Sequence, residues 1–86
     1  MEKERREHDL KIVSEMFDAV LNQDKKAEFR KDDRGFAVGD VLLLREIDED
    51  GEYTGNFLRR RITHILRAPW SGFPEGYAML SIDRIS

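Results

Sequence analysis

The 86-residue sequence contains no cysteine. Disulfides and thiolate metal sites are therefore excluded, and a reducing, cytoplasmic compartment is the expected home. Histidine is nearly absent too: His8 and His64 stand alone, and their spacing matches no metal-ligand pattern. No metal and no other cofactor is expected. Proline is confined to Pro69 and Pro74, so no other segment is broken by a missing backbone donor. No apolar stretch approaches the ~20 residues of a membrane span. Residues 1–7 are charged almost throughout, which leaves no signal peptide to be read there. An excess of positive charge is also missing. With 15 basic and 18 acidic side chains the net charge is −3, and an indiscriminate phosphate-binding coat would be basic. Nucleophile elbow, phosphate-gripping glycine loop, zinc-protease motif and dinucleotide fingerprint are all absent.

What remains is a composition of 40% hydrophobic and 9% aromatic residues, which fits a folded domain rather than a disordered chain. The length suits one domain, expected over residues 8–86 behind a flexible charged lead at 1–7, and a monomer is expected. Charge is unevenly placed. Lys25 to Arg34 holds five bases against three acids, and Arg59-Arg60-Arg61 adds three bases with no acid beside them. Glu46 to Glu52 carries five acids and no base.

Leu10, Ile12 and Val13 make a short apolar run consistent with a first strand. Ser14 is a suitable N-cap for a helix over about 15–23, with Glu15 in its positive first turn. Phe17, Val20 and Leu21 form its apolar face. Ala27 to Arg30 reads as a strand with Ala27 and Phe29 on one face and Glu28 and Arg30 on the other. Val41 to Leu44 is an unbroken apolar run, expected as a central strand buried on both faces. Asp50-Gly51 signals a hairpin, and Tyr53 to Leu66 is expected to return as a long bent strand with Gly55 at a bulge. Tyr77 to Ile82 closes the chain. The expected core comprises Phe17, Phe29, Val41 to Leu44, Leu66 and Leu80. Trp70 and Phe73 read either as base-stacking platforms or as a plug for the barrel end. One short helix and four or five strands argue an α+β, mostly β fold, a small barrel or pseudo-barrel.

The run Phe17-x-x-Val20-Leu21-x-x-x-Lys25-x-x-Glu28-x-Arg30 resembles the hallmark of ASCH domains, a branch of the PUA-like superfamily, in which glycine, lysine, glutamate and arginine follow as GxKxxExR. Further matches are His8-Asp9-Leu10-Lys11-Ile12, Arg30-Lys31-x-Asp33-Arg34, Phe36-x-Val38-Gly39-Asp40, Tyr53-Thr54-Gly55, Ile62-Thr63-His64-Ile65-Leu66 and Gly76-Tyr77-x-Met79-Leu80-Ser81-Ile82. They resemble a bacterial and phage branch of that superfamily and run in order along nearly the whole chain. Gln23 stands at the glycine position, so the helix is expected to end without the usual left-handed glycine stop. In the small ASCH amidohydrolases that remove the acetyl group of N4-acetylcytidine, a lysine of this motif works with a threonine nucleophile. Lys25 matches that lysine, and Glu28 occupies the threonine's place.

The resemblance implies a ligand cleft beneath the helix, built from His8, Lys11, Lys25, Glu28, Arg30, Lys31 and Arg34. Glu28 and Arg30 lie on one strand face about 6.5 Å apart. A carboxylate there accepts hydrogen bonds from a base, while Lys25 and Arg30 hold phosphate or carbonyl oxygens. Read without the resemblance, the same charges fit a solvated strand with pairs worth under ~1 kcal/mol each. Arg59 and Arg61 are candidate phosphate contacts on one strand face, with Arg60 on the other. Three functions follow as expectations: a module binding RNA or a modified nucleobase; an amidohydrolase using Lys25 and Glu28; and an accessory that binds a protein partner.

Overall fold

The computed structural model describes residues 5–67 and 72–85. Trp70 lies outside the described residues. Five strands and one helix follow one another as β1 (Glu7–Val13), α1 (Ser14–Leu21), β2 (Ala27–Lys31), β3 (Val41–Ile47), β4 (Tyr53–Arg67) and β5 (Tyr77–Asp83). The strands form one sheet in the order β1-β3-β4-β5-β2, in which β1 and β3 run parallel and every other pair is antiparallel. The sheet curls into a half-barrel, with the short helix near the N-terminus, as the alternation of the sequence implies.

The inner face is set by the two-residue period of the strands. Leu10 and Ile12 of β1, Leu42 and Leu44 of β3, Leu58 and Ile62 of β4, and Ala78, Leu80 and Ile82 of β5 all point inward and are buried. Phe17 and Val20 of α1 and Phe36 of the β2–β3 segment close the cluster. A helix of 8 residues is too short to hold itself together in water. Burying Phe17 and Val20, each worth roughly 1.5–3 kcal/mol, supplies what its own hydrogen bonds cannot.

β3 is buried on both faces, as expected, for two different reasons. Leu42 and Leu44 face the core, whereas Leu43 faces outward and is buried in register between Asp9 and Arg59, each of which is in an ion pair. Gly55, at φ +97°, sits in a bulge where Glu46 of β3 lies opposite three residues of β4. Buried Glu46 fastens it by accepting hydrogen bonds from Thr54 Oγ1 (2.7 Å) and Asn56 Nδ2 (2.9 Å).

Three expectations are corrected. A second bulge at Thr63 turns β4 over, so Ile65 and not Leu66 packs against the core, and Leu66 is half-buried. Phe29 is 42% exposed, because β2 turns its charged face inward. Ser14 does not cap the helix: Val13 occupies that position without a side-chain bond, and the Ser14 hydroxyl donates to the Ile47 carbonyl. Without glycine, the helix still ends in a left-handed stop. Gln23 takes φ +67°, Asp24 N donates to Ala19 O at 2.9 Å, and Gln23 N donates to Val20 O at 3.1 Å. Those two bonds make a Schellman motif with glutamine where glycine is usual.

β1 and β2 are the two edges of the half-barrel and do not pair with each other. Arginine side chains bridge the seam instead. Arg30 Nη2 donates to Lys11 O and Arg34 Nη1 to Asp9 O, both at 2.7 Å. Unpaired carbonyls on the β1 edge thus find partners without a sixth strand. β1 itself begins at Glu7, and Arg6 just before it already holds the carbonyls of Arg34 and Gly35.

Candidate functional site

The inward turn of β2 places a carboxylate below the helix end. Glu28 is only 5% exposed, and both of its oxygens are engaged. Lys25 Nζ donates to Oε1, and Arg30 Nε donates to Oε2 at 2.9 Å. The Schellman stop aims Lys25 at this point, because Lys25 N is still bonded to Ala19 O, at 3.0 Å. Lys25 Nζ also donates to the Ala27 carbonyl. Its ammonium is therefore committed to two acceptors. Arg30 is held by Glu28 on one side and by the Lys11 carbonyl on the other, leaving its Nη1 edge unbonded among the described residues.

Above this charged floor opens a cleft of about 350 Å³, bounded by β1, α1 and β2. Its rim is apolar and accessible: Val13 is 50% exposed, Met16 44% and Phe29 42%. Phe29 is braced from behind by Tyr77, stacked at 5.2 Å, and by Phe73, edge-on at 5.3 Å. The expected plug at Phe73 is thus a buttress for the cleft rim. An apolar slot over a fixed acceptor and two cations suits a flat, polar-edged group.

Of the seven residues expected at the cleft, the structure brings four together: Lys25, Glu28 and Arg30 through their side chains, and Lys11 through its backbone. The other three lie elsewhere. Lys31 is exposed at the end of β2, on the side opposite Glu28 and Arg30. Arg34 serves the seam. His8 is buried and bound through Nε2 to Asp40 Oδ2 at 2.8 Å, with its ring edge-on to Phe36 at 4.7 Å.

Asp40 was not singled out by the sequence, and it is the hub of this second constellation. Its carboxylate also accepts from the backbone N–H groups of Arg6 (3.3 Å) and Ala37 (3.1 Å). Burial works to raise its pKa. The bonds from His8, Arg6 and Ala37, with the His8 charge, outweigh burial and hold the carboxyl below its usual range. Glu46 is held low as well, first by its bond from Asn56, then by Thr54 and Ser14.

The three consecutive arginines Arg59, Arg60 and Arg61 of β4 divide as alternation requires. Arg60 points inward and is buried, donating to Val20 O at the helix C-terminus (3.3 Å), where a cation complements the helix dipole. Desolvation first, and Arg84 second, lower its pKa. Arg59 and Arg61 remain on the outer face. His64 is exposed, and no cluster of metal-ligating side chains occurs among the described residues. Likewise, no helix among them is long and apolar enough to cross a membrane.

Comparison with known proteins places the chain in a family: residues 7–82 match the model of the domain of unknown function DUF3850, and the chain belongs to that family. It is also similar to the "Uncharacterized 12.9 kDa protein in GpA 3'region" of Escherichia phage P2, 40% identical over 73 residues, or 85% of this chain. The chain spans 64% of that relative's length.

Proposed function

We propose that this DUF3850 domain is a binding module of the ASCH/PUA-like type, which takes RNA or a modified nucleobase in the cleft between β1, α1 and β2. One observation carries the reading: a carboxylate 5% exposed, held by two cations, forms the floor of a slot whose rim is exposed apolar side chains. A base would slide between Val13, Met16 and Phe29 and present its polar edge to Glu28 and the free edge of Arg30. Carboxylates accept up to about four hydrogen bonds, so Glu28 keeps acceptor capacity beyond its two ion pairs.

The amidohydrolase reading has less support. Lys25 is committed to Glu28 and the Ala27 carbonyl, and among the described residues no serine or threonine lines the cleft. The test is an NMR titration of labelled protein with N4-acetylcytidine, short RNA and short single-stranded DNA at two salt concentrations. Shift changes at Lys25, Glu28, Arg30, Val13 and Met16 are expected, and Glu28→Gln should weaken them at least several-fold. Changes that cluster away from these residues with every ligand would remove the proposal, and none with any ligand would remove it and favour a protein partner.

A further inference from the structure

The outer face of the sheet carries a second constellation, away from the cleft floor. On β1, β3 and β4 the registers align Glu7 with Val41 and Arg61, Asp9 with Leu43 and Arg59, and Lys11 with Arg45 and Phe57; the last row holds Val13, Ile47 and Tyr53. All of these side chains are odd-numbered and point away from the core. Two of them are aromatic, Tyr53 and Phe57, and each is 54% exposed. Cations lie against both rings: the Arg59 guanidinium is 5.5 Å from the Phe57 centroid, and Lys11 Nζ and the Arg45 guanidinium are each 5.7 Å from that of Tyr53. Four cations face two carboxylates, so this face is net +2 on a protein whose net charge is −3.

We propose that the outer face of β1, β3 and β4 is a platform for single-stranded nucleic acid, with bases stacking on Tyr53 and Phe57 and phosphates meeting Lys11, Arg45, Arg59 and Arg61. Exposed aromatic rings interleaved with cations on a solvent-facing sheet surface are what sequence-tolerant binding of a single strand needs. The charge is complementary, and it is mobilisable. Asp9 pairs with Arg45 at 2.9 Å and Glu7 with Arg59 at 2.6 Å, but these side chains are about half exposed. Such surface pairs are worth under ~1 kcal/mol, so a phosphate can recruit the arginines. Lys11 and Arg61 have no ion-pair partner among the described residues. Four rows about 6.8 Å apart give a track of about 20 Å. Its ends differ. Asp48, Glu49, Asp50 and Glu52 crowd the hairpin beside Tyr53, whereas Arg61 shares a surface pocket with Arg84 and Asp83. The strand is thereby directed from Tyr53 toward Arg61.

The platform does not rest on the cleft reading, and one experiment separates them. Fluorescence anisotropy of a labelled 12-nucleotide oligo-dT is measured in 50 mM and 200 mM salt with wild type and four variants. Tyr53→Ala/Phe57→Ala should weaken binding at least ~10-fold, given ~1–3 kcal/mol of stacking per base. Tyr53→Leu/Phe57→Leu, which keeps apolar bulk, should lose nearly as much. Lys11→Ala/Arg61→Ala should flatten the log–log salt dependence by about 1.4, at ~0.7 per phosphate contact. Circular dichroism would confirm that these surface variants fold. Binding by the aromatic variants equal to wild type overturns the proposal. So does the absence of wild-type binding at 50 mM salt, which would leave the face to a protein partner. Loss of oligonucleotide binding through Glu28→Gln alone would place the strand in the cleft and also overturn it.

Discussion

Asp40 and Glu28 are both buried carboxylates, both paired with a cationic or ionisable side chain, and both set beside β1; yet Glu28 lines a cleft and Asp40 does not line that cleft. Asp40 accepts from two backbone N–H groups and from a histidine that is itself buried. These three hydrogen-bond donors are fixed by the β1–β3 pairing and the Phe36–Asp40 turn, and the half-exposed Arg6 guanidinium adds only a looser ion pair at 3.8 Å. Glu28 is held by the ends of two long side chains, Lys25 and Arg30, which remain about one quarter exposed at the cleft. Burial of a charge does not by itself mark a site. The distinction lies in the partners: rigid backbone donors build structure, whereas flexible, partly solvated cations can be shared with a ligand.

The comparison is broken most severely at Asp40. Asp40→Ala strands the His8 ring nitrogen and two backbone donors in a buried setting, and removing one partner of such a constellation costs about 3–5 kcal/mol. Urea unfolding should show that loss, a large fraction of the stability of a small domain. The pH profile sharpens the assignment. Asp40's folded-state pKa lies below its usual 3.8, so its contribution is complete above about 3.8 and is lost as the pH falls through the folded value. The alanine variant should therefore have a flatter acid limb than wild type. An unchanged acid limb would mean that Asp40 is not the ionised hub described.

At Glu28 a smaller cost is expected. Glu28→Gln keeps the shape and leaves Lys25 and Arg30 able to turn toward water, so the loss in urea should be about 1 kcal/mol. The same substitution should weaken ligand shifts in the cleft, whereas Asp40→Ala, where folded, should leave them nearly unchanged. If Glu28→Gln is as destabilising as Asp40→Ala, the two carboxylates are alike and Glu28 is structural.

Much of this division was hidden in the sequence for identifiable reasons. Lys25, Glu28 and Arg30 were legible because they are close in the chain and a helix stop and one strand suffice to bring them together. Asp40 was not, because its partner His8 is 32 residues away and meets it only through the parallel β1–β3 register. Alternation along β2 was legible, but not which face is inward. The rule that apolar residues point inside fails there because Phe29 finds Tyr77 and Phe73 on the outside, while Glu28 finds two cations within. Gly55 announced its bulge. Thr63 did not, since nothing in Ile62-Thr63-His64 distinguishes a bulge from plain strand, and the face of Leu66 was misread as a result.

Gln23 offers the smallest and most local test of how the cleft is built. The backbone there is left-handed, a conformation that costs a residue with a β-carbon about 1–2 kcal/mol, and the Gln23 side chain makes no hydrogen bond among the described residues. Glycine would remove that strain, though it loses more freedom on folding. Gln23→Gly should thus stabilise the domain by a net 0.5–1 kcal/mol or so, read as a higher urea midpoint with unchanged slope. The stop also orients Lys25, through the bond from Lys25 N to Ala19 O. Because glycine preserves that geometry, cleft binding should be unaffected. A gain in stability with loss of binding would show that the Gln23 side chain itself takes part in the site. A loss of stability would mean that Gln23 makes a stabilising contact in the left-handed conformation that offsets its strain.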